Sequence, residues 1–143
     1  MFTSQLGRRA ATVALAVTAL AGAGLATAGN AFAEYAPKDG YLDGGEFGLY
    51  YNSNTAGCVF DLYSGDSNFY GDTFRPYVGS CSGQGQSTND NTASYHNNDT
   101  YRWYVYTNSD AGGSEGNLPA GYIGNASATF KNTISSAYPY DAN

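Results

Sequence analysis

Leu49-Tyr50-Tyr51-Asn52-Ser53-Asn54-Thr55-Ala56-Gly57 returns later in the chain as Val105-Tyr106-Thr107-Asn108-Ser109-Asp110-Ala111-Gly112-Gly113. The likeness runs on for eight more residues, CVFDLYSG against SEGNLPAG. Six of the seventeen positions are identical at a constant offset of 56: Tyr50/Tyr106, Asn52/Asn108, Ser53/Ser109, Gly57/Gly113, Leu62/Leu118 and Gly65/Gly121. A repeat constrains architecture before any single residue is weighed, and two copies are too few for a solenoid. The pattern implies a fold built from two similar halves.

Each copy places a Gly seven residues after a Tyr, at Gly57 and Gly113. That spacing suits a folded-over hairpin whose Gly takes positive φ, where a Cβ would clash. A Ser later in each half would tie the turn down through its hydroxyl. Both halves reach an N-T-x-S segment, Asn91-Thr92-Ala93-Ser94 and Asn132-Thr133-Ile134-Ser135, so Ser94 and Ser135 are the expected ties. Glu46 to Tyr51 and Tyr101 to Thr107 are dense in aromatics and read as strands. In the second, Tyr101, Trp103 and Val105 fall on one face and Arg102, Tyr104 and Tyr106 on a wetter one. No segment after residue 33 has helical periodicity over a useful length, so an all-β fold is expected. Each half would be a four-stranded Greek key, the first over about 46–97 and the second over about 101–138, packed as one sandwich domain within 34–143.

The halves differ in length. Some fifteen extra residues fall within Asp66 to Gly83 of the first half, a stretch holding Phe69, Tyr70, Phe74, Arg75, Tyr77 and Cys81. Cys58 and Cys81 are the two cysteines, and a single disulfide is the expected pairing.

Residues 1–33 read as an export signal rather than as fold. Arg8 and Arg9 form a basic start, Ala10 to Ala21 an apolar run, and Ala31-Phe32-Ala33 an A-x-A cleavage site. Ala26-Thr27-Ala28 offers a second such site. A secreted, extracellular protein is therefore expected, in keeping with a disulfide. Beyond residue 33, four basic residues (Lys38, Arg75, Arg102, Lys131) face twelve acidic ones, so the net charge moves from −6 to −8. That balance argues against nucleic acid and anionic membranes as partners. A monomer is expected.

The Y-x6-G element with a downstream Ser, present twice, resembles the βγ-crystallin fold. More narrowly, GEFGLYYNSNTAG, then SGQGQ, then the N-T-x-S segment resemble the secreted bacterial peptidase inhibitor family thirty-six, the streptomycete metalloproteinase inhibitor type. The resemblance covers roughly Asp39 to Tyr138. It implies a βγ-crystallin-like sandwich of two Greek-key motifs and an inhibitor of extracellular, metallo-type peptidases that works by inserting a rigid loop. Family members carry a Cys just before and just after the GEF segment. Here those positions are Leu42 and Gly48. The inhibitory loop would be the first-half excess, with Phe69, Tyr70, Phe74, Arg75 and Tyr77 as contact residues tethered by Cys58–Cys81. The alternative, favoured for most of these aromatics in so Tyr-rich a sandwich, is that they are core strand residues.

The βγ-crystallin resemblance also implies a calcium motif of the form [N/D]-[N/D]-x-x-[S/T]-S. Asp90-Asn91-Thr92-Ala93-Ser94-Tyr95 matches it except at Tyr95, and Lys131-Asn132-Thr133-Ile134-Ser135-Ser136 except at Lys131. Asp90, Asn91, Ser94, Asn132, Ser135 and Ser136 are thus candidate calcium ligands. Calcium wants six to eight oxygens, and a Lys ammonium both removes one and repels the ion. The alternative for these residues is plain turn formation. No other cofactor is expected. A third reading, from composition alone, has exposed Tyr and Trp103 stacking on sugars. An enzyme is not expected: HExxH and a free-thiol Cys–His pair are both missing from the sequence, and no spacing singles out Glu46 and Asp61 as a catalytic pair.

Overall fold

The computed structural model describes residues 36–140. The expected export signal, residues 1–33, lies outside the described residues. Seven strands make two antiparallel sheets: β1 Phe47–Asn52, β2 Ala56–Leu62, β3 Ser94–Asn97, β4 Trp103–Asn108, β5 Gly112–Leu118, β6 Ile123–Asn125 and β7 Ser136–Pro139. No helix occurs among the described residues. One sheet runs β2-β1-β3-β6 and the other β5-β4-β7.

Strand alternation puts one face of each strand into the space between the sheets. Phe47, Leu49, Phe60, Leu62 and Tyr95 enter from the first sheet, and Trp103, Val105, Leu118 and Ala137 from the second. Phe47 stacks on Trp103 across the gap with ring centroids 4.9 Å apart. Each fully buried aromatic or aliphatic side chain here contributes about 1.5–3 kcal/mol by removal from water. Tyr104 and Tyr106, on the opposite face of β4, stay half-buried as the alternation of that strand requires.

The halves are not closed on themselves. β6 belongs to the second half by sequence, yet it pairs with β3 of the first, Ser94 opposite Asn125 and His96 opposite Ile123. In return, Asp66 of the first half bridges Ala137 on β7. Each half lends its third stretch to the other half's sheet. This differs from the expectation of two self-contained four-stranded keys. The exchange is fixed by backbone hydrogen bonds, with the Asp66 and Phe69 amides reaching the Ala137 and Ser135 carbonyls at 2.8 and 2.9 Å.

The first-half excess folds inward rather than projecting. Phe69 packs edge-on against Phe60 at 5.2 Å and Phe74 edge-on against Tyr51 at 5.5 Å. Both rings are fully buried. Cys58 and Cys81 form the disulfide, with Cα atoms 5.2 Å apart. The Cys58 amide also donates to the Ser82 carbonyl at 2.9 Å.

The lead-in before β1 is bound tightly to this half. The Asp39 and Gly40 amides donate to the Asp61 carboxylate at 3.1 and 2.8 Å. Lys38 Nζ pairs with Asp66 at 2.6 Å and Asp72 at 3.0 Å. Leu42 covers Gly48: a Cβ on Gly48 would lie 3.0 Å from Leu42 Cδ1.

Candidate functional site

The two halves meet at a pair of tied turns that correspond residue by residue. In the first, Ser94 Oγ donates to the Asn52 carbonyl at 2.6 Å and accepts the Thr55 amide at 2.9 Å. In the second, Ser136 Oγ donates to the Asn108 carbonyl at 2.7 Å and accepts the Ala111 amide at 3.3 Å. Asn52/Asn108 and Thr55/Ala111 keep the offset of 56. The hairpins turn through left-handed residues at Asn54 and Thr55 in one and Asp110 and Ala111 in the other. Gly57 and Gly113 follow at φ 79° and 78°. A Cβ on Gly57 would sit 2.8 Å from the Ser82 carbonyl oxygen, so the position needs glycine for space as well as for φ.

The tie in the second half is Ser136, not the expected Ser135. The backbone sets the correct register. Asp90 and Asn132 both take left-handed φ, 60° and 57°. The Asp90 amide donates to the Ile134 carbonyl at 3.0 Å, and the Asn132 amide returns the bond to the Thr92 carbonyl at 2.8 Å. The Ala93 and Ser135 amides donate to the Tyr50 and Tyr106 carbonyls, each at 2.9 Å. Equivalent pairs are therefore Asp90/Asn132, Ala93/Ser135 and Ser94/Ser136, one residue away from the N-T-x-S match. In this register the first calcium-like window is Asn89-Asp90-Asn91-Thr92-Ala93-Ser94, which departs from the pattern only at Ala93. The second, Lys131 to Ser136, departs only at Lys131.

The six candidate ligands then divide. Ser94 and Ser136 are fully buried and their hydroxyls are used by the turns. Asn91 turns its amide to the Ser87 carbonyl at 2.8 Å. Asp90 and Ser135 come together across the two halves, with Ser135 Oγ 3.4 Å from Asp90 Oδ1 and 3.2 Å from the Thr107 carbonyl oxygen. Asn89 supports the group by donating from Nδ2 to Asp90 Oδ2 at 2.7 Å. Three oxygens, one of them from a carboxylate, share a single hydroxyl hydrogen. Such a cluster suits a hard cation, which takes oxygen donors of this kind.

The sister position is built differently. A cleft of about 240 Å³ is lined by Tyr51, Asn52, Ser53, Ala93, Lys131 and Asn132, among others. Ala93 stands where the other site has Ser135, and Lys131 where it has Asn89. Lys131 Nζ lies 3.4 Å from Ser53 Oγ. A methyl and an ammonium cannot serve as cation ligands. Among the described residues no group of three or more His, Cys, Asp or Glu is arranged to hold a metal ion.

The expected inhibitory residues also divide. Phe69 and Phe74 are core side chains with 0% exposure, so neither can fill a peptidase pocket. Arg75 is exposed and bridges to Val59 through its backbone. Tyr70 and Tyr77 are 83% and 61% exposed. Tyr77 packs against Tyr41 of the lead-in with centroids 4.9 Å apart. Trp103 is fully buried and donates from Nε1 to Asp99 at 2.8 Å, which removes it as a sugar-stacking surface.

Two buried carboxyls lie near the lead-in. Burial drives Glu46 up to about 7; the Asp43 amide opposes this, while Asp61, Asp43 and Asp39 reinforce it. Its Oε1 is buried with no hydrogen-bond partner. Burial also raises Asp61, against the pull of the Gly40 and Asp39 amides.

Two sheets, two Ser-tied folded hairpins and third stretches exchanged between the halves decide the architecture. The fold is that of the βγ-crystallins. A domain solved in work on the evolution of the eye lens βγ-crystallin fold shares 16% identity, covering 70% of this chain and 89% of its own, with a TM-score of 0.55. A βγ-crystallin from Ciona intestinalis shares 17%, covering 67% and 100%, at 0.50. A βγ-crystallin domain from Flavobacterium johnsoniae shares 18%, covering 68% and 96%, also at 0.50. No protein-family profile and no curated protein sequence matches the chain. At these identities the βγ-crystallin likeness speaks for the fold alone.

Proposed function

We propose that this chain is a secreted βγ-crystallin-type module that binds one calcium ion between its halves. The observation that carries the reading is the meeting of Asp90 Oδ1 and the Thr107 carbonyl at Ser135 Oγ, 3.4 and 3.2 Å from it. Asp90 would supply the charge, and Ser135 and Thr107 neutral oxygens, with water filling the shell. One carboxylate fits a weak site of the extracellular kind, with Kd about 10⁻⁴–10⁻³ M. The formed disulfide and the signal-like residues 1–33 support export.

Calorimetric titration with calcium tests this directly. One equivalent is expected for the natural chain and none for Asp90→Asn. A natural chain that gives no heat, and no calcium shift in Tm at millimolar calcium, overturns the reading.

Peptidase binding is a second reading, favoured by one observation. Tyr70, Tyr77 and Val78 are 83%, 61% and 79% exposed on a segment anchored by Cys58–Cys81 and by Lys38 to Asp72. A rigid exposed segment limits the ordering cost of entering a cleft. Titration against thermolysin-like and subtilisin-like peptidases tests it. Tyr77→Ala should weaken inhibition, and an unaffected peptidase at micromolar protein rejects it.

A further inference from the structure

A second region of the molecule carries ligand-binding features that neither reading uses. Two adjoining clefts lie beside the 98–102 turn. The first, of about 460 Å³, has Tyr63, Ser64, Asp99, Thr100 and Tyr101 among its lining residues. The second, of about 330 Å³, is lined by Tyr101, Arg102, Pro119 and Tyr140, among others. Tyr101 and Thr100 belong to both, so Tyr101 stands as the partition between them. Tyr63, Tyr101 and Tyr140 are 57%, 54% and 49% exposed.

The framework of these clefts is set before any ligand arrives. Asp99 Oδ1 accepts the Thr100 and Tyr101 amides at 2.6 and 3.2 Å, and Oδ2 accepts Trp103 Nε1 at 2.8 Å. Asn97 Nδ2 holds the Tyr101 carbonyl at 2.9 Å. The Gly45 amide donates to the Asn98 carbonyl at 2.9 Å, and Asn98 Nδ2 reaches back to the Asp43 carbonyl at 2.8 Å. On the far side the Tyr140 amide donates to the Arg102 carbonyl at 2.7 Å. The tyrosine rings thus stand on a braced backbone, which lowers the ordering cost of binding.

The chemistry of the lining selects the ligand class. The Tyr101 and Tyr140 rings offer flat faces to C–H surfaces and hydroxyls to polar groups. Ser64 and Thr100 offer rotatable hydroxyls, and Asp99 Oδ2 keeps lone-pair capacity beyond its bond to Trp103. One acidic and one basic side chain, Asp99 and Arg102, sit in separate clefts, so neither anion nor cation is favoured along the whole length. We propose that the paired clefts bind a neutral oligosaccharide of at least two units, stacked on either side of Tyr101.

Titration of the full mature chain with cellohexaose, xylohexaose and chitohexaose, followed by NMR of the tyrosine ring signals, tests this. At least one sugar is expected to give saturable shifts at Tyr101 and Tyr140. Tyr101→Ala should weaken that binding about tenfold with unchanged Tm, since it removes one stacking face from a solvent-exposed position. Tyr140→Ala should weaken the hexamer more than the dimer of the same sugar. The proposal is overturned if no sugar shifts these signals at millimolar concentration, or if Tyr101→Ala binds as tightly as the natural chain. Repeating the titration with Asp90→Asn leaves the result unchanged, because this site does not depend on calcium.

Discussion

The two sister positions at the junction of the halves share a backbone and differ in chemistry. Reciprocal amide bonds join Asp90 to Ile134 and Asn132 to Thr92, and left-handed φ recurs at both Asp90 and Asn132. Yet one position gathers a carboxylate, a hydroxyl and a carbonyl, and the other a methyl and an ammonium. The backbone correspondence is thus maintained by main-chain bonds and the serine ties, which leave the outward side chains free to diverge. Lys131 carries its own positive charge into the place where its sister would take an ion from solution.

The sharpest asymmetry between the halves is covalent. Only the first has a disulfide, closing a separation of 23 residues. Cys58→Ser with Cys81→Ser should cost about 3 kcal/mol by loop entropy, read as a lowered urea midpoint. The loss should fall mainly on the 66–88 segment, seen as faster amide exchange there than in β4 and β5.

The ties come next. Ser94→Ala and Ser136→Ala each remove a buried hydroxyl and its two hydrogen bonds to a turn carbonyl and a turn amide, together worth about 1–3 kcal/mol. The first-half bonds are the shorter, so Ser94→Ala should lower Tm more. Equal losses would show that the two turns are energetically equivalent despite their different lengths of bond.

Converting one sister into the other gives a smaller effect. Lys131→Asp with Ala93→Ser should raise calcium stoichiometry from one to two and add about 1–2 kcal/mol of stability at tenfold excess over Kd. If the natural chain binds no calcium but this double variant binds one equivalent, the Asp90 site fails while the account of Lys131 stands.

A further effect concerns pH. Glu46 moves from the usual 4.5 in the unfolded chain to about 7 in the fold. Between those values the folded state holds more protons than the unfolded one, so stability falls as pH rises through that window. Asp61 shifts in the same direction. Glu46→Gln should flatten the slope of Tm against pH between 5 and 8. It should gain most over the natural chain at the alkaline end.

The sequence shows the two-half construction clearly because Gly57 and Gly113 report backbone needs that no other residue meets at low cost. Trp103 and Val105 declare their buried face by simple alternation. The strand exchange does not show, since β6 reads only as Ile123-Gly124-Asn125, and Asp66 joins β7 through backbone atoms that carry no residue signature. The one-residue slip at Ser135 has a similar origin. Identity of Asn, Thr and Ser side chains suggested one register, while φ and main-chain bonds set another. Thr107 and Asn89 were invisible as site residues because one contributes a carbonyl and the other acts by holding Asp90. Phe69 and Phe74 fit either a presented loop or the core by sequence, because excess residues in one half suggest projection while large rings favour burial, and the structure buries both. Their burial reflects the gain from covering a large ring.

Leu42 over Gly48 has a consequence for the order of assembly. The lead-in is held by that contact, by Asp61 and by the Lys38 pairs, and every one of these partners lies later in the chain than the residue it holds. A chain that emerges amino end first must leave its leading segment loose until β2 and the 66–72 stretch have followed. Once they arrive, the attachment closes without an oxidant, so the front of the molecule locks on a schedule set by synthesis and not by the redox state of its surroundings.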